Sequence, residues 1–260
     1  PFRQEVVLID GGGRFFVYEQ DWQRPAQPFE VGRDILLPYL KYRGINKIDK
    51  VIISHGHYDH WGGLQGLLGK IPIGMLLHPP LVPQSEEERK WLDQVILNKI
   101  PIFAVDQGDA WRTGHAQFMV LYPRGKQPEL VGHVHDYNLV IWNKLYDVTF
   151  LWTGDVEVKG EEEILASFPH LKADVLKVAH HGSRTSTSPR WLDQIEAKVA
   201  VISAGRNNRY GHPHREVLER LEEKGILVYQ TARQGGVRIV VKPKGYEIIP
   251  TLQGDGKPVQ

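Results

Sequence analysis

Residues 50–63 read KVIISHGHYDHWGG, a short β-branched run that gives way to three histidines and an aspartate within six positions and then to paired glycines. A β-branched run broken by a polar, glycine-containing segment marks the end of a strand and the start of a tight turn. Neither a packed core nor a solvated loop has common use for so many imidazoles, whereas ring nitrogens and carboxylates are metal ligands. Gly56, Gly62 and Gly63 permit a strand-to-helix turn in which alternate side chains converge. In that turn His55 and His57 can grip one ion while Asp59 and His60 face a second, as a pair of divalent cations about 3.5–4 Å apart requires.

On either side of this turn the same rhythm repeats. EVVLID (5–10), KVIISH (50–55) and IGMLLH (73–78) read as strands, and GRDILLPYLKYRG (32–44), GGLQGLLG (62–69) and SEEERKWLDQVILNK (85–99) as amphipathic helices. The middle is strand-rich, with AQFMVLYP (116–123), NLVIWN (138–143) and VTFLWTGD (148–155). The last third alternates again through DVLKVAHH (174–181), WLDQIEAK (191–198) and VAVISAG (199–205), and closes on GVRIVVKP (236–243) and GYEIIP (245–250). This pattern predicts a layered α/β fold. No linker, repeat or low-complexity tract divides the chain, so one domain over residues 1–260 is expected. Its first strand or two are expected to be missing, because a strand begins within a few residues of Pro1.

Composition narrows the chemistry. Thirty-two basic residues balance thirty-one acidic ones, so no global field announces a polyanion and any anion site must be local. There are no cysteines, which excludes disulfides and thiolate metal sites and leaves His, Asp and Glu as ligands. No apolar run approaches the roughly 20 residues of a membrane span, so the chain as given is expected to be soluble.

Of twelve histidines, nine fall in four clusters, at 55–60, 133–135, 180–181 and 212–214. Several predicted strands end on a residue of ligand type: Asp10, His55, Asp155 and His181. Ligands in α/β sheets bind at the carboxyl ends of strands. Asp155 is suited to bridge two cations. Of His180 and His181, adjacent on a predicted strand and so facing opposite ways, His181 is chosen as ligand and His180 as a substrate-facing group. In the pair His133 and His135, His135 is preferred. Asp10 is suited to accept a ring N–H from a liganding histidine and fix its tautomer. Pro213 is predicted to open a helix between His212 and His214, and that helix start, with Arg206 and Arg209, suits a phosphate. Ser183 and Arg184 would line the same crevice, and Tyr210 could stack on a base.

LIDGG (8–12), HGHYDH (55–60), TGD (153–155) and AHHGS (179–183), in that order, resemble the metallo-β-lactamase superfamily of binuclear metallohydrolases. LPYLKYRGI (37–45), DVLKVAHHGS (174–183) and VAVISAGRNNRYGHPHREVLERL (199–221) resemble one branch, the metallo-β-lactamase-like domain of the ComEC/Rec2 DNA-uptake channel of natural competence. The match runs from about Val6 to Val237. The resemblance implies a four-layer αββα sandwich of two mixed β-sheets flanked by helices, with the site at the edge between the sheets. It implies two divalent ions, Mn or Zn, with His55, His57 and His135 on one, Asp59, His60 and His181 on the other, and Asp155 bridging. It further implies a nuclease that degrades the non-imported strand. The chain would be a domain excised from a bacterial membrane protein, on the outer face of the membrane, with single-stranded DNA and the channel portion as partners and no small-molecule cofactor.

In that reading Asp59, His180, His212 and His214 serve catalysis, His180 by stabilising developing charge and His212 or His214 by protonating the leaving oxygen. The same metal core would serve a phosphocholine-type phosphodiester, a thioester or a lactone, with a closed apolar pocket as the distinguishing sign. A non-catalytic DNA-guiding module would hold metal without turnover.

Overall fold

The β-branched runs and amphipathic segments become two compact units in the computed structural model, which describes residues 5–14, 27–80, 83, 85–125, 137–253 and 257–258. One unit comprises Pro1–Val105 with Lys126–Tyr137, the other Asp106–Gly125 with Asn138–Gln260.

The first unit is built on a four-stranded sheet of β1 (Val7–Ile9), β2 (Lys50–Ile52), β3 (Leu76–His78) and β4 (Ile102–Ala104), in that order. All four run parallel, so each connection must cross over. The first crossover is helical from Gly32 to Leu36 and continues as α1 (Leu37–Tyr42). The second is α2 (Tyr58–Trp61) followed by a 3₁₀ segment, Gly62–Leu67, where a helix over 62–69 is predicted. The third is α3 (Glu86–Leu97), capped by Ser85, whose hydroxyl accepts the Glu88 N–H at 3.0 Å. Glu86, Glu87 and Glu88 in its first turn suit the positive end of the helix dipole. The core packs Leu40, Ile53, Leu64, Leu67 and Val95 around Trp61 and Trp91, whose rings stack at 5.2 Å.

The second unit carries a seven-stranded sheet. Its strands are β5 (Ala110–Thr113), β6 (Ala116–Tyr122), β7 (Val140–Leu145), β8 (Val148–Trp152), β9 (Val175–Lys177), β10 (Val199–Ile202) and β11 (Leu227–Gln230). They lie in the order β11-β10-β9-β8-β7-β6-β5. β5 to β8 pair antiparallel and β8 to β11 pair parallel, so the mixed character lies in this sheet. Helices α4 (Val158–Ser167), α5 (Pro189–Ile195) and α6 (Arg215–Glu223) supply Ile164, Trp191 and Leu221 to a core with Leu121, Leu151, Leu176 and Ala200. Residues one position along, Phe150, Val175 and Val199, belong to a second cluster under the closing hairpin of β12 (Val237–Lys242) and β13 (Gly245–Pro250). That split is the two-residue period of a sheet covered on both faces.

Two expectations fail locally. The strand expected to carry His180 and His181 ends at Lys177, and both histidines sit in a 3₁₀ turn, Ala179–Gly182, with left-handed φ of 47° and 53°. The alternation rule used to separate them does not apply there. The helix expected to open at Pro213 starts at Arg215, with extended His214 as its cap. The His214 N–H is held by the Gly182 carbonyl at 2.9 Å, which draws that residue out of the helical path.

The loop after these histidines is clamped. Thr187 has φ of 56°, an unfavourable conformation for a β-branched residue. Its N–H donates to Glu161 of α4, as does the Ser188 N–H at 3.0 Å, while Arg220 of α6 donates to the Ser186 and Thr187 carbonyls at 3.1 and 3.3 Å. Glu161 is fully buried. Burial, opposed by these hydrogen bonds and by Arg220, holds its carboxyl above the usual range. Replacing Glu161 with Ala strands one buried and one half-buried donor and should cost on the order of 2–4 kcal/mol, read as a lower urea midpoint. The raised value means that the carboxyl's contribution is fullest below its unfolded pKa and falls as pH rises through the folded one. Wild type should therefore lose stability relative to Glu161→Gln as pH rises above about 4.5; a constant difference would contradict the assignment.

Candidate metal centre

Among the described residues each unit carries a cluster of side chains of metal-ligand type. In the first, β1 ends at Ile9 and the chain turns at Asp10, with φ of 56°. The Asp10 carboxylate accepts the Ser54 N–H at 2.7 Å, the Ser54 hydroxyl at 2.8 Å and Nδ1 of His60 at 2.7 Å. One aspartate thus ties the ends of β1 and β2 to the first turn of α2. Gly11 N–H to the His60 carbonyl at 2.6 Å and Gly63 N–H to the Gly12 carbonyl at 2.7 Å complete the join. A side chain on Gly63 would strike the Gly11 carbonyl, so glycine is required by close backbone approach.

The three imidazoles of the 54–63 stretch meet there. His55 and His60 are buried, with ring centroids 4.1 Å apart, and His55 lies 4.7 Å from His57. Nε2 of His55 is 3.0 Å from Nδ1 of His57. Ser54 Oγ lies 3.0 Å from Nδ1 of His55 and 3.1 Å from Nδ1 of His60. His57 is the extended residue capping α2, and Asp59 is exposed in its first turn. With Nδ1–H donated to Asp10, His60 keeps the Nε2 lone pair, the tautomer a metal ligand needs. Imidazoles packed this closely can turn their ring lone pairs toward one cation. The donor set therefore fits a divalent metal.

In the second unit Asp155 follows β8 and is almost fully buried, its N–H donating to Asn138 Oδ1 at 2.7 Å. Its Oδ2 lies 3.6 Å from Nε2 of His181 and 3.9 Å from Nε2 of His180. His181 Nδ1 is 2.7 Å from the Ser203 carbonyl, and His180 Nδ1 is 3.5 Å from Glu157. Donation of Nδ1–H to Ser203 again puts the lone pair on Nε2 of His181. Both histidines reach Asp155, because the left-handed turn aims two consecutive side chains the same way. His212 packs 5.7 Å from His180, 6.3 Å from His181 and 4.9 Å from His214. Burial first, then the charges of His214, His180 and His181, push the His212 pKa down to about 4 against the pull of Asp155, so its ring is neutral at neutral pH. His214 Nδ1 accepts the Arg184 N–H at 3.1 Å.

The other sequence candidates divide by exposure. Ser183 is buried, its hydroxyl 3.0 Å from that of Thr185, so it builds the turn. Arg184, Arg206, Arg209 and Tyr210 are exposed. His133 and His135 lie outside the described residues. Sequence reasoning missed Ser54, Asn138 and Glu157; Ser54 and Glu157 stand next to recognised ligand-type residues, but Asn138 opens an ordinary strand and gave no signal.

Asp10 is expected to act through His60. Asp10→Ala should lower divalent-metal affinity by about 10–100-fold, as loss of a ligand-orienting partner does, measured by competition with a chromogenic chelator. Unchanged affinity would remove His60 from the ligand set.

Residues 3–206 match the family model described as the metallo-beta-lactamase superfamily. The chain is 35% identical over 238 residues to ComE operon protein 3 of Bacillus subtilis, covering 92% of this chain and 30% of that protein. It is 28% identical over 235 residues to competence protein ComA of Neisseria gonorrhoeae, covering 89% of this chain and 30% of that one. The chain thus spans less than a third of the length of either relative. Among solved structures, CmlA, a diiron beta-hydroxylase from Streptomyces venezuelae, superposes with a TM-score of 0.50 at 12% identity, covering 79% of this chain and 45% of that one, a likeness of fold. A match over most of the chain, together with the α/β sheets and the His/Asp clusters at their strand ends, places the protein in the metallo-β-lactamase superfamily, whose members are generally metal-dependent hydrolases.

Proposed function

We propose that this chain hydrolyses DNA phosphodiesters with two divalent ions, Mn or Zn, as the nuclease part of a DNA-uptake protein that degrades the non-imported strand. In this reading His55, His57 and His135 hold one ion, Asp59, His60 and His181 the other, and Asp155 bridges them. When bound, the ions supply Lewis-acid polarisation of a phosphoryl oxygen and acidify the attacking water.

The chain's own residues do the rest. His180, beside Asp155, donates toward the charge that develops on phosphorus oxygens. His212, neutral at neutral pH, serves as a hydrogen-bonding wall rather than a proton source. The leaving oxygen is assigned a hydrogen bond from His214, whose Nδ1 accepts the Arg184 N–H and so leaves Nε2–H as the donor, while the proton that the leaving oxygen takes up comes from solvent water. Single-stranded DNA is the proposed substrate and the membrane channel portion of the same protein the proposed partner, on the outer face of the membrane. Among the described residues no helix is long and apolar enough to cross a membrane, so the channel would lie in other sequence.

The observation that carries the reading is the setting of Asp155, His180 and His181. His212 beside them adjoins a polar, arginine-lined surface, which suits an anionic ester better than a thioester or lactone. The test is cleavage of linear single- and double-stranded DNA with Mn, Zn, Mg or chelator, beside Asp59→Ala and His181→Ala. Metal-dependent cleavage abolished in both variants is expected. Absence of cleavage while nearly two ions are bound per chain would reject the nuclease in favour of another ester or a DNA-guiding role.

A further inference from the structure

β8, β9, β10 and β11 are consecutive and parallel, so their carboxyl ends form one edge of the seven-stranded sheet. Along this edge the first two strands lead into Asp155 and into His180 and His181. The next two lead into something different. The loop after β10 carries Gly205–Gly211, and β11 runs into a short turn, Thr231–Gln234. Thr231 joins them, its hydroxyl accepting the Ala204 N–H at 3.1 Å and donating to the Ala204 carbonyl at 3.0 Å.

Between these loops lies an open cavity of about 510 Å³, within the range of small-ligand sites. Its described lining includes Arg206, Arg233, Asn207, Asn208 and Gln230, and no carboxylate. Arg206 is anchored through Nε to the Ala232 carbonyl at 3.0 Å. Asn208 braces the wall by accepting the His212 N–H at 2.9 Å and donating to the His212 carbonyl at 2.6 Å. His212 is part of the lining, and its ring also neighbours those of His180 and His181. Neighbouring strands lie about 4.8 Å apart, so the arginine cavity stands one to two strand spacings from the β9 end that leads to His180 and His181, and two to three from the β8 end that leads to Asp155.

Two guanidiniums among amides, with no counter-charge in the lining, suit a phosphate. One to two strand spacings from the end that presents His180 and His181 is close to the repeat of a sugar–phosphate backbone. We propose that this cavity is a subsite for the phosphate adjoining the scissile one, held by Arg206 and Arg233 and separated from the reacting phosphate by His212. This rests on the phosphodiesterase reading and adds its substrate class: a strand with at least two consecutive phosphodiesters, gripped through its backbone without regard to base.

The test compares thymidine oligomers with one and two linkages, TpT and TpTpT, and TpTpT carrying one uncharged methylphosphonate linkage. Titrations without metal measure binding, and kcat/KM with metal measures cleavage. Wild type should bind TpTpT about tenfold or more tightly than TpT, the gain expected of a charge-assisted contact, and the methylphosphonate should forfeit that gain. In Arg233→Ala, and more so in Arg206→Ala/Arg233→Ala, the TpTpT-to-TpT ratio should fall toward one, while Arg233→Lys should retain part of it; thermal melts check that the variants fold. A ratio near one in wild type, or a ratio unchanged in the double variant, overturns the subsite. Inorganic phosphate competing for the cavity as well as TpTpT does would reduce it to a simple anion site and overturn it too. Failure of the nuclease reading is distinct: no oligomer is cleaved, while the metal-free binding ratio still tests the cavity.

Discussion

A buried imidazole must have both nitrogens accounted for, and the Asp10 carboxylate meets that demand at the first histidine cluster. It takes three donors, from the Ser54 backbone, the Ser54 hydroxyl and His60, and so couples the positions of β1, β2 and α2. Without it, Nδ1 of His60 would keep only the Ser54 hydroxyl, 3.1 Å away, which can donate as well as accept, and the tautomer would be unset. The close approach of Gly63 to the Gly11 carbonyl follows, because the turn after β1 is drawn onto the start of the helix. Ordinary packing then fills in behind, with Trp61 stacked on Trp91 of α3.

The second unit meets a similar demand by strain. His180, His181 and Thr187 all adopt left-handed backbone that is uncommon for residues with a side chain, and the turn is over-determined by groups remote in sequence. Glu161 and Arg220 grip its far end, Ser203 holds His181, and Gly182 binds His214. The reward is that two consecutive imidazoles reach one buried aspartate, which a regular strand cannot arrange. The loop is thus rigid where a metal-binding site needs rigidity, and its supports come from the α4 and α6 helices.

Much of this was legible beforehand. The 54–63 stretch announced ligands because its residue types have little other use together, and Asp155 and His181 stood out because they followed apolar runs that could only be strands. Strands as short as Ile102–Ala104, Ala110–Thr113 and Leu227–Gln230 gave too few residues for a period to register. Pro213 misled because proline favours a helix start, whereas a hydrogen bond from His214 to a residue thirty-two positions earlier fixed the backbone outside the helix.

The α/β class, the family and the residue types suited to hold a metal are legible from the chain alone, since these follow from period, residue chemistry and motif order. Tertiary structure decided which atoms of those residues are presented: Nε2 rather than Nδ1 on His60 and His181, both His180 and His181 toward Asp155, and Arg206 beside Arg233 across two loops. Each of those depends on a hydrogen bond or a strand neighbour distant in sequence, and such pairings are set by the closing of the fold rather than by local preference.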